Sequence, residues 1–167
     1  MTLTSHAVAG AAVASFFPKS PVLAFVFGFL SHFVLDAIPH GHYKINSYRR
    51  EGEDKLTGDI VFGKEFIFDV LKVAADGTMG LTLAYLFFAP AAGVFIVLLG
   101  ASAGMLPDFL QVAYFKIHRE PLTSYERLHT LAHVKPENEF GFFPSMGLLM
   151  EVAVIIFAIL IAKTFGA

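Results

Sequence analysis

The 167-residue chain contains no cysteine, and only 16% of its residues are charged. Without cysteine it has no disulfide framework, no thiolate nucleophile and no cysteine-ligated zinc or iron–sulfur site, so any metal must bind nitrogen and oxygen atoms. The chain also lacks a P-loop and a Rossmann fingerprint, which leaves P-loop enzymes and dinucleotide-binding enzymes without support. Its small net charge of -2 gives no sign of a nucleic-acid partner.

Hydrophobic residues dominate instead, at 56% of the chain. At this length they predict one membrane-embedded domain, residues 1–167, rather than a water-soluble one. Apolar runs separated by proline, glycine and charged residues indicate an all-α integral membrane bundle of about five membrane helices. The predicted helices are Leu3–Phe17, Pro21–Ile38, Glu65–Phe88, Pro90–Phe115 and Phe142–Ala162.

Two polar segments are predicted between these helices. Gly41–Lys64 is expected to be the longest loop, and Lys116–Phe140 is expected to contain a short helix, Ser124–Val134. Thr123 or Ser124 would cap that helix, because a side-chain oxygen there can accept from the free N–H groups of the first turn. Pro90 is expected to open the fourth membrane helix, since proline is tolerated in a first turn.

The basic residues predict an orientation in the membrane. If all five helices cross, nine Lys and Arg residues lie on the side of the N-terminus and the two polar segments, against two on the other side. The nine are Lys44, Arg49, Arg50, Lys55, Lys64, Lys116, Arg119, Arg127 and Lys135, and the two are Lys19 and Lys163. Because short loops rich in Lys and Arg stay inside, the prediction is a bacterial or archaeal cytoplasmic membrane protein with a cytoplasmic N-terminus.

Most of the histidines and several of the aspartates fall near this same, predicted inner, end of the helices. They are His6, His32, Asp36, His40, Asp69, Asp76, Asp108, His129 and His133. An ionisable group near lipid costs a few kcal/mol and usually marks a functional site. We therefore interpret these nine residues as one candidate metal-binding set.

The spacing within the set favours metal binding. His32, Asp36 and His40 are spaced i, i+4, i+8, which places neighbours about 6 Å apart along one helix face. Pro39 is expected to turn the chain out of the helix just before His40. His129 and His133, at i, i+4, would offer two imidazoles to one divalent metal.

The aspartates need a counter-charge. Asp76 and Asp108 lie well inside apolar runs, where an unpaired carboxylate requires a cation or a proton. Asp69 has a local alternative, because Lys72 is close enough on the same predicted helix to pair with it. Imidazole and carboxylate ligands suit zinc, manganese or iron, and six or more of them suggest two or three ions.

Less specific interpretations remain open for single residues. His6 is also compatible with a helix-flanking role, His32 with a satisfied core histidine, and Asp36 with an ion pair to Arg49 or Arg50. Glu126 and His129 form E-x-x-H, the spacing of carboxylate-bridged di-iron bundles, but those proteins need a second copy that this chain lacks. A hydrolytic metal site is therefore favoured over a di-iron site.

Four motifs resemble a known family. T-S-H at Thr4–His6, S-H-F-V-L-D-A-I-P-H at Ser31–His40, G-M-L-P-D at Gly104–Asp108 and L-H-T-L-A-H at Leu128–His133 resemble the membrane-bound metal-dependent hydrolases that LexA regulates in some bacteria. That family is similar, in its all-helical His/Asp ligand style, to zinc-dependent phospholipase C and the S1/P1 nucleases, which cleave phosphodiesters with three zinc ions. The resemblance implies metal ligands at His6, His32, Asp36, His40, Asp108 and His129, together with Asp76 and His133.

The sequence thus predicts a metal-dependent hydrolase, with zinc as the favoured ion, that acts on a phosphoester of a membrane lipid or amphiphile. In this interpretation Asp76 orients the attacking water, and Arg49, Arg50 or Arg127 receives the phosphate head group. Two other classes stay open: a non-catalytic membrane protein that binds or transports a divalent cation, and a scaffold in which the metal has a structural role.

Overall fold

The computed structural model describes residues 1–41, 44–50, 55–133 and 144–165. In these ranges the chain forms six helices and one small antiparallel hairpin, which confirms the all-α class. The helices are α1 (Leu3–Ala14), α2 (Pro21–Asp36), α3 (Lys64–Ala92), α4 (Val94–Ile117), α5 (Leu122–Ala132) and α6 (Pro144–Phe165). The strands of the hairpin are β1 (Tyr48–Arg50) and β2 (Gly58–Ile60).

Helix α1 lies at the centre of the bundle. All of its residues except Val13 are buried, and it packs against α2, α3, α4 and α6. Its sequence is rich in alanine, and small residues let neighbouring helices approach closely. At 12 residues, α1 is about 18 Å long, so it is an internal helix rather than a full span.

Glycines set the contact of α1 and α2 with α4. A Cβ added at Gly10 would overlap the Gly100 carbonyl oxygen, and one added at Gly28 would lie 2.8 Å from the same atom. A Cβ at Gly104 would overlap the His6 carbonyl oxygen. The three helices therefore meet backbone to backbone, which brings His6 of α1 close to the middle of α4.

Three helices are long and apolar enough to cross a membrane, namely α3, α4 and the segment Met146–Phe165 of α6. Side chains on α3 and α6 are mostly exposed in the bundle, as expected for helices that face lipid. With 12 and 16 residues, α1 and α2 fall short of the ~20 that a span requires. The prediction of five spans is therefore not confirmed, and the structure supports a membrane protein with three candidate spans.

The boundary between the third and fourth helices was predicted wrongly. Pro90 does not open α4; it lies inside the last turn of α3. The break comes at Gly93, whose φ of +88° is in the region that glycine adopts most readily. Helices α1 and α2 also end earlier than predicted, at Ala14 and Asp36.

The short helix is present, but its predicted cap is wrong. Helix α5 begins at Leu122 directly after Pro121, so Thr123 and Ser124 lie within its first turn. The predicted end of this helix, Val134, lies outside the described residues. The predicted start of the last helix, Phe142, is outside them as well.

The segment predicted as the longest loop contains the hairpin. Strands β1 and β2 pair antiparallel, with Tyr48 opposite Ile60. Ile60 packs with Tyr114 and Phe115 at the end of α4, and the Tyr114 hydroxyl donates to the Leu56 carbonyl at 2.9 Å. The hairpin is thereby fixed to the α4 terminus near the polar end of the bundle.

Candidate metal centre

A buried carboxylate forms the centre of the histidine cluster. Asp36, the last residue of α2, is 1% exposed. Its Oδ2 lies 3.0 Å from His32 Nε2 and 3.2 Å from His129 Nε2, and its Oδ1 lies 3.3 Å from His6 Nε2. One carboxylate therefore contacts imidazoles from α1, α2 and α5, which are far apart in the sequence.

Three further residues complete the cluster. His40 Nε2 lies 3.8 Å from Asp36 Oδ1, and His133 Nε2 lies 3.9 Å from Asp36 Oδ2. Asp108 approaches from α4, with its Oδ1 3.9 Å from His32 Nε2. These residues form three overlapping groups of potential metal ligands, each with its ligand atoms within 4.8 Å of one another. The groups are His6–His32–Asp36, His32–Asp108–His129 and Asp36–His40–His133.

Local geometry explains how α2 and the residues directly after it supply three residues of the histidine cluster. His32 and Asp36 are one turn apart on the same face of α2. The helix ends at Asp36, and Pro39 disfavours helical conformation at the residue before it, Ile38. His40 therefore comes back to the cluster from outside the helix, and it is fully buried.

Backbone carbonyls orient two of the imidazoles. His32 Nδ1 lies 2.9 Å from the Gly104 carbonyl oxygen, and His40 Nδ1 lies 2.6 Å from the Ile38 carbonyl oxygen. A carbonyl only accepts, so Nδ1 is the donor in both rings. In the neutral form, Nε2 of each ring then carries a lone pair directed at the cluster, which is the usual arrangement of metal-binding histidines.

The contacts between these lone pairs need a cation or additional protons. His32 Nε2 faces His129 Nε2 at 3.1 Å and Asp36 Oδ2 at 3.0 Å. The lone pairs of the two nitrogens would repel at this distance unless His129 Nε2 carries a proton, which it can donate to His32 Nε2 or Asp36 Oδ2, or unless both nitrogens bind one ion. Ligand nitrogens of a tetrahedral zinc ion, each ~2.0–2.1 Å from the metal, are about 3.3 Å apart. The observed separation fits a shared ion of this kind.

His6 gives an independent indication. Its side chain is fully buried, yet neither ring nitrogen makes a hydrogen bond of acceptable geometry to the described residues. Buried polar groups in proteins nearly always have a partner, and a missing one suggests an ion or water. The donor set, with only nitrogen and oxygen atoms, fits zinc, manganese or iron.

Two histidines of the cluster that lie outside the membrane helices, His40 and His129, differ in their protonation. Burial lowers the pKa of His129, but the hydrogen bond to Asp36 and the nearby Glu126 carboxylate outweigh this and raise the pKa to about 9. Burial lowers the pKa of His40 to about 4. At neutral pH, His40 is therefore ready to bind a metal, whereas His129 must first release a proton.

Behind His129 lies a second buried carboxylate. Glu126, 1% exposed, accepts hydrogen bonds at its Oε1 from Gln111 Nε2 (2.9 Å) and Thr130 Oγ1 (3.3 Å). Its Oε2 lies 3.7 Å from His129 Nδ1. Carboxylates in this position orient a ligating imidazole and increase its basicity.

Sequence reasoning missed Glu151. It is the only acidic residue in the described part of α6, and it is 8% exposed. It accepts a hydrogen bond from Thr2 Oγ1 at 2.5 Å and one from Ser5 Oγ at 3.4 Å, at the start of α1. An acid in the middle of a very apolar helix was the signal that could have identified it.

Two predicted ligands are not brought to the cluster. The Asp76 carboxylate accepts from the Leu3 backbone N–H at 2.7 Å and from the Thr4 N–H and hydroxyl at 3.2 and 2.6 Å, so it caps the first turn of α1. Asp69 accepts from the Ser47 N–H at 2.7 Å and from Lys72 Nζ at 2.9 Å. Both carboxylates therefore have donors of their own and belong to none of the three ligand groups.

The three arginines predicted to bind substrate lie in exposed positions. Arg49 Nη2 pairs with Glu65 Oε2 at 2.7 Å, and its Nη1 donates to the Asn46 carbonyl. Arg50 is the next residue of β1, and Arg127 is exposed on α5. Among the described residues, Asp36 contacts imidazoles and the Met1 amino group rather than an arginine, so the alternative of an arginine counter-ion for this carboxylate is not supported. Their part in head-group binding stays a prediction.

Comparisons with protein-family models, with curated proteins and with solved structures find no match to this chain. The site must therefore be interpreted from its own geometry.

Proposed function

We propose that this chain is a membrane-bound, metal-dependent hydrolase that acts on a phosphoester of a lipid or amphiphile. The observation that carries the proposal is the convergence of His6, His32 and His129 on the single buried carboxylate of Asp36, at 3.0 to 3.3 Å. Membrane location and the His/Asp donor set agree with the activity that the sequence resemblance implies.

A bound divalent ion would polarise a phosphoryl oxygen and lower the pKa of a water molecule in the site. The chain's own contribution is to hold the ligands in place. Carbonyl contacts orient His32 and His40, and Glu126 supports His129 from behind. In the hydrolysis itself, the water oxygen bonds to phosphorus, the bond from phosphorus to the leaving oxygen breaks, and the water proton passes to the departing alcohol.

Asp108 marks the substrate side of the site. Its side chain is 31% exposed, whereas the side chains of His6, His32 and Asp36 are at most 2% exposed. It also lines a small cavity together with the Gln111 side chain. We assign to Asp108 the orientation of the attacking water, a role that Asp76 cannot perform while its carboxylate caps α1.

A second function is favoured by the burial of the cluster. The imidazoles of His6, His32, His40 and His129 are almost completely shielded from solvent, as in a site that stores or transports a cation rather than one that admits a substrate. The partial exposure of Asp108 is the feature that favours hydrolysis instead.

The test compares His32→Ala with His118→Ala in purified protein. His118 is a matched control because its Nε2 donates to the Gly58 carbonyl at 2.9 Å, away from the cluster. We expect metal in the wild type and in the His118 variant, with hydrolysis of a generic phosphodiester, and loss of both in the His32 variant. Bound metal without hydrolysis of phosphomonoesters or phosphodiesters would favour the cation-binding function. If the wild-type protein binds no metal and a chelator does not change its thermal stability, both the hydrolase and the cation-binding function are refuted.

A further inference from the structure

An apolar cavity of about 420 Å³ lies between α3 and α4 and is separate from the histidine cluster. Val70, Val73 and Ala74 of α3 line one wall, and Phe109 and Val112 of α4 line the other. Ligand pockets in proteins usually have volumes of ~300–1,000 Å³, so this cavity is large enough for part of an organic ligand.

The cavity is open toward the surroundings of the bundle. Val70, Phe109 and Val112 are 46%, 51% and 48% exposed, although all three line it. Both α3 and α4 are candidate membrane spans. An apolar opening between two such helices faces hydrocarbon, so a molecule can enter it directly from the bilayer.

The cavity also adjoins the metal centre. A second, smaller cavity of about 180 Å³ shares Leu3, Ile45, Val73, Phe109 and Val112 with it. Asp108 and Gln111 also line that smaller cavity. The larger cavity is thus mainly apolar, with Ser47, Asp69 and Thr78 as its polar lining residues, and the smaller one has a polar end next to the cluster.

The polar end connects to the ligands through short contacts. Asp108 Oδ1 is 3.9 Å from His32 Nε2, and Gln111 Nε2 donates to Glu126, the carboxylate behind His129. A molecule that fills both cavities would therefore place its polar group beside the cluster and its apolar part between α3 and α4.

We propose that the space between α3 and α4 binds one alkyl chain of an amphiphilic phosphoester, whose phosphate group lies at Asp108. This inference rests on the proposed function and specifies its substrate class: a single-chain amphiphile, or a lipid that presents one chain, entering from the bilayer. The occupant is an alkyl chain because the wall is apolar, continuous with the lipid-facing surface and closed at its polar end by Asp108 and Gln111.

Two neighbouring alanines provide a matched test. Ala74 lines the cavity, whereas Ala75, the next residue of α3 and also exposed, does not. Ala74→Phe should fill the space, and Ala75→Phe adds the same side chain outside it. Thr78→Phe is a second filling variant, since Thr78 also lines the cavity.

The measurement uses metal-loaded protein in one detergent and two probe pairs. The first pair is ethyl and dodecyl p-nitrophenyl phosphate, compared by kcat/KM; the second is ethylphosphonate and dodecylphosphonate, compared by equilibrium binding. We expect the wild type and Ala75→Phe to prefer the dodecyl probes. In Ala74→Phe and Thr78→Phe the dodecyl preference should fall roughly tenfold, the loss expected when about two methylenes leave an apolar site.

The outcomes separate the two proposals. Hydrolysis of both esters without chain-length preference, or equal preference in Ala74→Phe and Ala75→Phe, would overturn the alkyl-chain inference and leave the hydrolase proposal intact. If neither ester is hydrolysed, the hydrolase proposal fails, and phosphonate binding still decides the inference: equal dodecylphosphonate affinity in Ala74→Phe and Ala75→Phe would refute it. Thermal unfolding of all variants identifies any that fail to fold.

Discussion

The carboxylates of Asp76 and Asp36 both contact the first turns of α1, but they contact different kinds of group there. Asp76 accepts three hydrogen bonds from the Leu3 and Thr4 donors, so its charge is compensated by N–H and O–H groups. Asp36 contacts the Met1 amino group at 3.4 Å and is otherwise surrounded by imidazole nitrogens, including those of His6 and His32. Asp76 is thus compensated by uncharged donors of the fold, whereas the imidazoles around Asp36 compensate its charge only when they carry protons or share a metal ion with it.

This contrast teaches that depth in an apolar helix does not identify a metal ligand. Both aspartates lie in apolar helices, but Asp76 was predicted as a ligand because of its depth in an apolar run, and Asp36 because it shares a helix face with His32. Helix α1 makes the difference, because it exposes its free N–H groups to Asp76 and its imidazole to Asp36. Four substitutions test this difference between Asp36 and Asp76, and they are ordered by expected effect.

Asp36→Asn should have the largest effect. Removing the charge that His6, His32 and His129 share should weaken metal binding by more than the roughly 10–100-fold lost when an outer-shell partner is removed. Metal content after dialysis measures this, with Asp59→Asn as control, because Asp59 is exposed and pairs with Lys116. Unchanged metal content in the Asp36 variant would show that this carboxylate is not at the centre of a metal site.

Glu126→Gln should have the next largest effect. The substitution keeps the shape of the side chain but removes the charge behind His129, and metal affinity should fall about 10–100-fold. Glu151→Gln is the matched control: it is also a buried acid, but its partners are the Thr2 and Ser5 hydroxyls, so metal affinity should change little. Equal losses in a competition titration with a chelating dye would contradict the assignment of Glu126 as the support of His129.

Asp76→Ala should lower the stability of the protein rather than its metal content. Loss of the cap leaves the Leu3 and Thr4 N–H groups without their acceptor and should lower the free energy of unfolding by about 1–3 kcal/mol. Chemical unfolding in detergent measures the change, and metal content should stay at the wild-type value. Loss of metal with unaltered stability would instead restore Asp76 to the ligand set that the sequence predicts.

Asp69→Asn should have the smallest effect. The amide oxygen can still accept from the Ser47 N–H, and the pair lost with Lys72 involves a lysine side chain that is 40% exposed. Such pairs contribute below about 1 kcal/mol, so stability should change slightly and metal content not at all. A clear drop in bound metal would show that Asp69 belongs to the metal site after all.

Sequence reasoning predicted the all-helical class and the elements that bear the cluster. The i, i+4, i+8 spacing of His32, Asp36 and His40 was informative because helical geometry fixes which side chains share a face. The same reasoning failed at Pro90, since proline is compatible with a first turn and, at a cost, with a helix interior. Local patterns could not decide between the two positions.

The predicted count of five membrane spans is not confirmed, for a related reason. Apolar composition made α1 look like a membrane helix, but an internal helix of a membrane bundle has the same composition as one that faces lipid. Its 12 residues and its burial by four neighbouring helices distinguish the two cases. Only the packed structure reveals that burial.

Composition and the period of the helix were sufficient to predict the membrane character, the absence of thiolate chemistry and the helical positions of His32, Asp36 and His129. These are properties of the chain alone. The kind of partner that each acid meets depends on packing, because the glycine contacts of α1 with α4 place the backbone N–H groups of α1 near Asp76 and the His6 imidazole near Asp36. The long-range packing of four helices thus separates Asp36 from Asp76, and no local pattern contains that information.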